Sequence, residues 1–220
     1  MKLHHDEHMV KLTMVYISDA TETGTTYKKD ELMAIRNMCD KYGLLLFIDG
    51  ARLGVALTIE DTDVDAKLIG EVSDVFYVGG TKNGALYGEA LIIKKNEKSS
   101  DFRYYIKNSG SMLAKGFILG IEFETLFTNN LYFNLAKNSN KKAKLIREGL
   151  NNLGLPLIGS SKSNQIFVEV PKKLAKTLMD KFGVELWEDR DRTQVIRIVT
   201  SFNTKKKDAE ELIEFIKKAL

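Results

Sequence analysis

Cysteine and proline are both scarce in this sequence of 220 residues. The single cysteine, Cys39, excludes an internal disulfide and fits a reducing compartment. The two prolines, Pro156 and Pro171, form no proline-rich linker. No apolar run approaches the ~20 residues that a membrane-spanning helix needs, and the N-terminus lacks the apolar region of a signal peptide. We therefore expect a cytoplasmic protein without a membrane partner.

Histidine is missing from almost the whole chain, because the only three are His4, His5 and His8. They stand beside Asp6 and Glu7, and imidazoles and carboxylates are common metal ligands. Their spacing matches no regular ligand pattern, so we predict a frayed terminus and no metal site.

A strong excess of one charge is also absent, since the formal net charge is only +3. No basic stripe interleaved with aromatic residues occurs, which argues against nucleic acid as a partner. Apolar residues make up 44% of the chain, enough for the core of one large or two small domains.

What the sequence does have is a lysine directly after two glycines at the end of a strand. The strand pattern covers residues 74–78, and Gly-Gly-Thr-Lys-Asn-Gly follows at residues 79–84. Glycines here permit positive φ and close approach to a ligand. Desolvation at such a position lowers the pKa of a lysine and makes Lys82 a candidate nucleophile toward carbonyl carbon. The alternative is a surface lysine in a tight hairpin, since Asn-Gly also forms two-residue turns.

A second candidate group, Asp49, ends a continuously apolar run at residues 44–48. Such a run predicts a strand buried on both faces, at the centre of a parallel sheet. Ligands bind at the carboxyl ends of strands in open α/β sheets. Pyridoxal phosphate requires a lysine for its Schiff base and an acid facing its pyridinium nitrogen, and Lys82 and Asp49 supply that pair. Asp49 could instead cap a helix.

Several ordered segments together resemble the low-specificity L-threonine aldolases, a family of fold type I, aspartate-aminotransferase-like enzymes in the β-eliminating lyase group. The segments that carry the resemblance are Val-Tyr-Ile-Ser at 15–18, Thr-Glu-Thr-Gly-Thr at 21–25, Ile-Asp-Gly-Ala-Arg at 48–52, the lysine stretch at 79–84, Ser-Gly-Ser-Met-Leu-Ala-Lys-Gly at 109–116 and Val-Ile-Arg-Ile-Val-Thr-Ser at 195–201.

The resemblance implies a role for each candidate site residue. Lys82 would form the Schiff base with pyridoxal 5'-phosphate, and Asp49 would hold the pyridinium proton. Arg52 would lie near the phenolic oxygen or the phosphate of the cofactor, and Thr81 would touch the phosphate. Arg197 would bind the substrate α-carboxylate. The residues alone leave other readings open, because Arg52 can form an ion pair at a helix start and Arg197 can face solvent from a half-buried strand.

The implied reaction is cleavage of L-threonine or L-allo-threonine to glycine and an aldehyde. Histidine is the usual base for such a step, but the sequence names no base, so a water or a part of the protein outside this chain is expected to serve. Alternatives are another fold type I lyase or an aminotransferase, and a non-catalytic half-protein or split-enzyme subunit that needs a partner.

Members of this family are considerably longer, and the chain is expected to lack the N-terminal part that carries the phosphate loop and the ring-stacking residue. The expected partners are a small amino acid substrate and either further copies of the chain or a complementing N-terminal half. An incomplete sheet would also leave an apolar face and open edges, which favour self-association.

The fold class predicted is α/β, with part of the mostly parallel sheet of a large cofactor-binding domain followed by a small α+β domain. Residues 1–105 are assigned to the large domain, 106–152 to connecting helices and 153–220 to the small domain. The predicted strands are 11–18, 44–48, 74–78, 89–93, 165–170, 184–188 and 194–200, and the predicted helices are 30–42, 51–57, 63–72, 111–128, 130–152, 172–182 and 205–219.

Overall fold

The computed structural model describes residues 6–94 and 101–220. In chain order its elements are β1 (Met14–Ser18), α1 (Lys29–Tyr42), β2 (Leu45–Asp49), α2 (Leu53–Ala56), α3 (Ala66–Val72), β3 (Val75–Gly79), β4 (Glu89–Ile93), α4 (Phe102–Asn108), α5 (Phe117–Phe127), α6 (Leu131–Asn152), β5 (Gln165–Pro171), α7 (Lys172–Phe182), β6 (Glu185–Asp189), β7 (Thr193–Val199) and α8 (Lys206–Ala219).

The first sheet has the order β1-β2-β3-β4. The first three strands are parallel and β4 is antiparallel to β3. Parallel strands need crossover connections, and α1 and α3 supply them. The carboxyl ends of β1, β2 and β3 therefore meet at one edge of the sheet, which confirms the α/β class expected from the alternation of strands and helices.

Residues 6–94 and 101–220 fully cover one face of this sheet and leave the other partly exposed. Leu46 and Ile48 of β2 are completely buried in a core that includes residues of α1 and α3. On the opposite face Met14, Tyr16 and Leu45 remain 43%, 58% and 41% exposed. The expectation that β2 is buried on both faces is therefore wrong for this chain, although β2 does lie between two parallel neighbours.

The second sheet is antiparallel, with the order β5-β7-β6. Its core contains side chains from α7, α8 and the C-terminal half of α6. The first turn of α6 instead packs into the core of the first sheet through Tyr132. The long helix α6 thus connects the two cores, and the small domain is α+β as expected.

Three elements begin three or more residues later than the sequence predicts, and one of them is α3, which begins at Ala66 instead of residue 63. β1 begins at Met14 instead of residue 11, because its ladder with β2 begins at the pair Met14 and Leu45. The helix expected over 111–128 begins at Phe117, and α4, which precedes it, was not predicted.

A buried tyrosine hydroxyl joins the long helix to the end of the lysine strand. Tyr132 Oη donates to the Gly79 carbonyl at 2.9 Å and accepts from the Gly54 N–H at 3.2 Å. Both backbone groups lose a partner in Tyr132→Phe, so we expect the free energy of unfolding to fall by about 2 kcal/mol. Urea denaturation measures this loss. The exposed Tyr42 supplies the control Tyr42→Phe, which we expect to change stability by less than about 0.5 kcal/mol. Equal effects of both substitutions would contradict a stabilising role for the Tyr132 hydroxyl.

Within the part of the chain that the structure describes, no helix is long and apolar enough to cross a membrane. The same residues contain no cluster of three or more His, Cys, Asp or Glu side chains arranged to hold a metal. His4 and His5 lie outside the described residues, and His8 is exposed.

Candidate active site

Asp49 lies at the carboxyl end of β2, and its carboxylate accepts three hydrogen bonds. Oδ1 accepts from the Tyr77 hydroxyl and from the Ala51 N–H at 3.0 Å, and Oδ2 accepts from the Tyr16 hydroxyl at 2.5 Å. Burial by itself raises the pKa of Asp49, but these donors and the nearby Lys82 ammonium outweigh it and lower that pKa below its ordinary value. Asp49 is therefore an ionised carboxylate, and it is half-buried at the edge of the sheet.

Lys82 lies in the connection between β3 and β4, at residues 80–88, which is longer than a two-residue hairpin. The buried Asn83 anchors the loop, because its Nδ2 donates to the Tyr132 carbonyl at 2.8 Å. Gly84 follows with a φ of 111°, a backbone conformation that favours glycine. Lys82 itself is exposed in the single chain. The desolvation expected from the sequence is thus not found, because none of the described residues buries the Lys82 side chain.

The glycines before Lys82 serve close backbone packing. A Cβ on Gly79 would lie 2.3 Å from the Ala51 carbonyl oxygen, and one on Gly80 would lie 2.7 Å from the Gly88 carbonyl oxygen. Neither glycine has a positive φ, in contrast to the conformation expected from the sequence. Their absent side chains bring the ends of β2 and β3 together, and with them Asp49 and Lys82.

Glu89, at the start of β4, holds the lysine loop from the other side. Its carboxylate accepts from the Gly80 N–H at 2.5 Å and from the Thr81 hydroxyl at 3.2 Å. Thr81 is exposed. Two donors of this loop that would suit a phosphate, the Gly80 N–H and the Thr81 hydroxyl, are therefore engaged by a carboxylate of the chain itself, and Thr81 has to leave Glu89 before it can bind an anion.

Two arginines come close to the same site, Arg52 from the start of α2 and Arg197 from the second sheet. Burial lowers the pKa of Arg52, attraction to Glu22 opposes this, and repulsion from Arg197 lowers the pKa further. Arg197 lies on β7, where its guanidinium forms an ion pair with Glu185 and lies 5.5 Å from the Trp187 ring centre. Its side chain is only 17% exposed. A substrate carboxylate placed between the two guanidiniums would relieve their repulsion.

Gln165 connects this arginine to the loop after β1. The side chain is completely buried; its Oε1 accepts from Arg197 Nη1 at 3.3 Å, and its Nε2 donates to the Thr21 carbonyl at 3.1 Å. It therefore fixes the small domain's arginine relative to the first sheet.

The structure places Asp49, Lys82 and Arg52 near one another and brings Arg197 toward them from the second sheet. Thr81 precedes Lys82 but is directed to Glu89. Sequence reasoning missed four contributors, Tyr16, Tyr77, Glu89 and Gln165, because their contacts depend on strand pairing and on the packing of the two sheets. The one available signal for the tyrosines was the presence of an aromatic residue in each of β1, β2 and β3.

This architecture defines the class of aspartate-aminotransferase-like α/β proteins. An aspartate aminotransferase variant from Thermus thermophilus superimposes with a TM-score of 0.66 at 16% identity, over 94% of this chain and 57% of that one. At this identity the likeness shows the fold alone.

The particular family follows from the sequence comparison. A family model described as beta-eliminating lyase matches residues 1–173, and the chain belongs to this family. It is 31% identical over 175 residues to the low specificity L-threonine aldolase of Pseudomonas aeruginosa, covering 79% of this chain and 50% of that protein. A threonine aldolase structure from Leishmania major is 39% identical over 99% of this chain and 64% of that chain, with a TM-score of 0.96.

These findings confirm the resemblance read from the motifs and the expected cofactor class, since the family and its aminotransferase-like neighbours depend on pyridoxal phosphate. The chain spans about half the length of the curated relatives it matches, at 50% and 51% of their residues.

Proposed function

We propose that this chain is the catalytic part of a pyridoxal-phosphate-dependent aldolase that cleaves L-threonine or L-allo-threonine to glycine and acetaldehyde. The observation that carries the proposal is the ionised Asp49 carboxylate at the end of β2, within electrostatic reach of Lys82 in the loop after β3. Fold class alone would not support an activity; the amine and acid that this cofactor requires do.

The residues present fit the cofactor, which supplies an electron sink for carbon–carbon bond cleavage when it is bound. Lys82 would hold it covalently, and Asp49 would keep a proton at its ring nitrogen. Thr81 would turn from Glu89 toward the phosphate, with Arg52 on the phosphate or phenolic oxygen side. Arg197 would bind the substrate α-carboxylate in exchange for part of its contact with Glu185.

Cleavage also requires a base for the β-hydroxyl proton. No histidine lies among residues 9–220 of the sequence. We assign the base to a water or to a group outside this chain, and the chain's own contribution is to bind the carboxylate, orient the substrate and hold the ring proton.

The test is to supply purified protein with pyridoxal phosphate and threonine and to measure glycine and acetaldehyde, with Lys82→Ala as the control. We expect both products from the unaltered chain and neither from the variant. A keto acid in place of the aldehyde would identify an aminotransferase instead. A cofactor absorption band without any product from threonine would overturn the aldolase assignment.

The exposed face of the first sheet favours a second candidate, a half-protein or subunit completed by another polypeptide or by further copies of itself. Met14, Tyr16, Leu45 and Leu91 are each more than 40% exposed on this face, and no described strand pairs with the outer edge of β1. Monomeric proteins rarely leave such apolar area in water. A reducing, cytoplasmic location is proposed together with either form, supported by the buried, unpaired thiol of Cys39.

A charge placed on this face tests whether it is covered. We expect Met14→Glu to reduce association at least tenfold in sedimentation equilibrium, because a carboxylate in an apolar interface loses its hydration. Met38→Glu is the matched control, since Met38 is 52% exposed on α1, away from the sheet face. Equal association of both variants would contradict an interface at this face.

A further inference from the structure

The Asp49 carboxylate rests on a row of aromatic rings that no part of the proposed function uses. In the register of the sheet Tyr16 is opposite Phe47, and Tyr77 belongs to the next strand on the same face. The Tyr16 and Phe47 rings stack at 5.2 Å, and the Phe47 and Tyr77 rings meet edge to face at 6.3 Å. Because Asp49 follows Phe47 by two residues, its side chain projects from the same face, above the row.

The two tyrosine hydroxyls reach the carboxylate from neighbouring strands, one to each oxygen. A carboxylate oxygen has two lone pairs. Oδ1 uses both, for Tyr77 and for the Ala51 N–H, whereas Oδ2 uses one, for Tyr16. Oδ2 therefore retains the one acceptor position that a further donor can take.

We propose that Tyr16 and Tyr77 are positioning residues that hold Asp49 as an oriented anion, with Oδ2 as the atom that would accept a hydrogen bond from the protonated ring nitrogen of the cofactor. The proposal rests on the proposed function, because it gives that function's acid its orientation. Neither tyrosine touches the reacting atoms; both act through Asp49.

The surrounding charges are compatible with this arrangement. The Lys82 ammonium favours the anion, and the Arg52 guanidinium also lies within electrostatic reach of Asp49. The hydrogen bond to Asp49 raises the pKa of Tyr16 to about 12, with burial and the charges of Asp49 and Glu22 adding to the effect. Burial and then the bond to Asp49 raise the pKa of Tyr77, and Glu89 contributes in the same direction. Both hydroxyls thus keep their protons and remain donors across the physiological range.

The pair can be tested in the protein without cofactor by following tyrosinate absorbance after a rapid jump to about pH 11, before unfolding. An ordinary tyrosine has a pKa of about 10, so Tyr16 and Tyr77 should stay protonated there in the unaltered chain. In Asp49→Asn the anion is gone, and we expect one to two additional tyrosines to ionise. Tyr16→Phe should leave the amplitude of the tyrosinate absorbance unchanged, because the hydroxyl that it removes stays protonated at this pH. The same amplitude in Asp49→Asn and the unaltered chain would overturn the pairing.

Cofactor binding tests the second part of the proposal. We expect Tyr77→Phe and Tyr16→Phe to raise the Kd for pyridoxal phosphate about tenfold, because each variant loses a hydrogen bond to a charged group. We also expect each variant to shift the pH midpoint of the absorption band of the bound cofactor by about one unit. Tyr42→Phe is the control for removing a tyrosine hydroxyl from another element.

The outcomes separate this proposal from the proposed function. An unchanged Kd and midpoint in both tyrosine variants, with normal binding by the unaltered chain, would overturn the positioning role alone. Failure of the unaltered chain to bind the cofactor would overturn the proposed function, while the tyrosinate measurement would still decide whether the two hydroxyls hold Asp49.

Discussion

Gly50→Ala is expected to destabilise the chain by more than about 3 kcal/mol and to abolish cofactor binding. A Cβ on Gly50 would lie 1.9 Å from the Tyr77 carbonyl oxygen and 3.1 Å from the Leu53 Cβ. The first neighbour is backbone of β3, which cannot move aside as a flexible side chain would. Gly50 also accepts a hydrogen bond from the Gly79 N–H at 2.9 Å, so the added methyl group separates the ends of β2 and β3. Overpacking of this kind costs several kcal/mol when the backbone has to shift.

Gly70→Ala is the matched control for this substitution. Gly70 lies in α3, and no atom lies within 4 Å of a Cβ built there. Alanine is favoured over glycine inside a helix by about 1 kcal/mol. The same chemical change should therefore stabilise the folded chain at residue 70 and destabilise it at residue 50. Urea denaturation followed by circular dichroism measures both, and a Gly50→Ala midpoint equal to that of the unaltered chain would contradict the close packing.

The second large effect concerns the dependence of stability on pH. Asp19 directly follows β1 and is 1% exposed, and its Oδ1 has no hydrogen-bond partner. Burial raises the pKa of Asp19 to about 7; the Tyr27 backbone N–H opposes this and the charge of Glu31 adds to it. The folded chain thus holds a proton that the unfolded chain releases near pH 4.

The sign of the effect follows from linkage. Because the folded-state pKa lies above the unfolded one, the stabilisation from this proton is complete below about pH 4 and is lost as the pH rises through about 7. A shift from 3.8 to about 7 corresponds to about 4 kcal/mol across this window. Asp19→Asn replaces the protonated acid by a neutral isostere that does not titrate.

We therefore expect Asp19→Asn to be close to the unaltered chain in stability near pH 4 and more stable by several kcal/mol near pH 8. Denaturation curves at a series of pH values measure the difference. Asp30→Asn is the control, since Asp30 is exposed in the first turn of α1. Parallel pH profiles for Asp19→Asn and the unaltered chain would show that Asp19 is ionised in the folded protein.

The elements with strong local signals could be predicted from the sequence. The three- and four-residue spacing of apolar side chains located α1 to within one residue, and Gly43, with a φ of 63°, ends it as expected. The apolar run before Asp49 located β2 to within one residue at each end. These features depend on neighbours in the sequence, which is why they were accessible without tertiary information.

Features that depend on contacts across the fold were not accessible in this way. α4 has only seven residues and none of them is buried, so it is too short for the longer window over which apolar periodicity predicts a helix. The contacts of Glu89 with the lysine loop arise from the pairing of β3 with β4, and those of Gln165 from the packing of two separate sheets. The roles of Lys82, Asp49, Arg52, Thr81 and Arg197 and the division at residues 105 and 152 remain predictions.

Borohydride reduction followed by peptide mass spectrometry tests whether Lys82 holds the cofactor covalently. The protein is mixed with pyridoxal phosphate, reduced and digested, and Lys82→Ala is treated in parallel. We expect the peptide containing Lys82 to carry the mass of the reduced cofactor, and we expect the variant to carry none at any single site. Modification at another lysine, or none in folded protein, would contradict the claim that this chain holds the cofactor through Lys82.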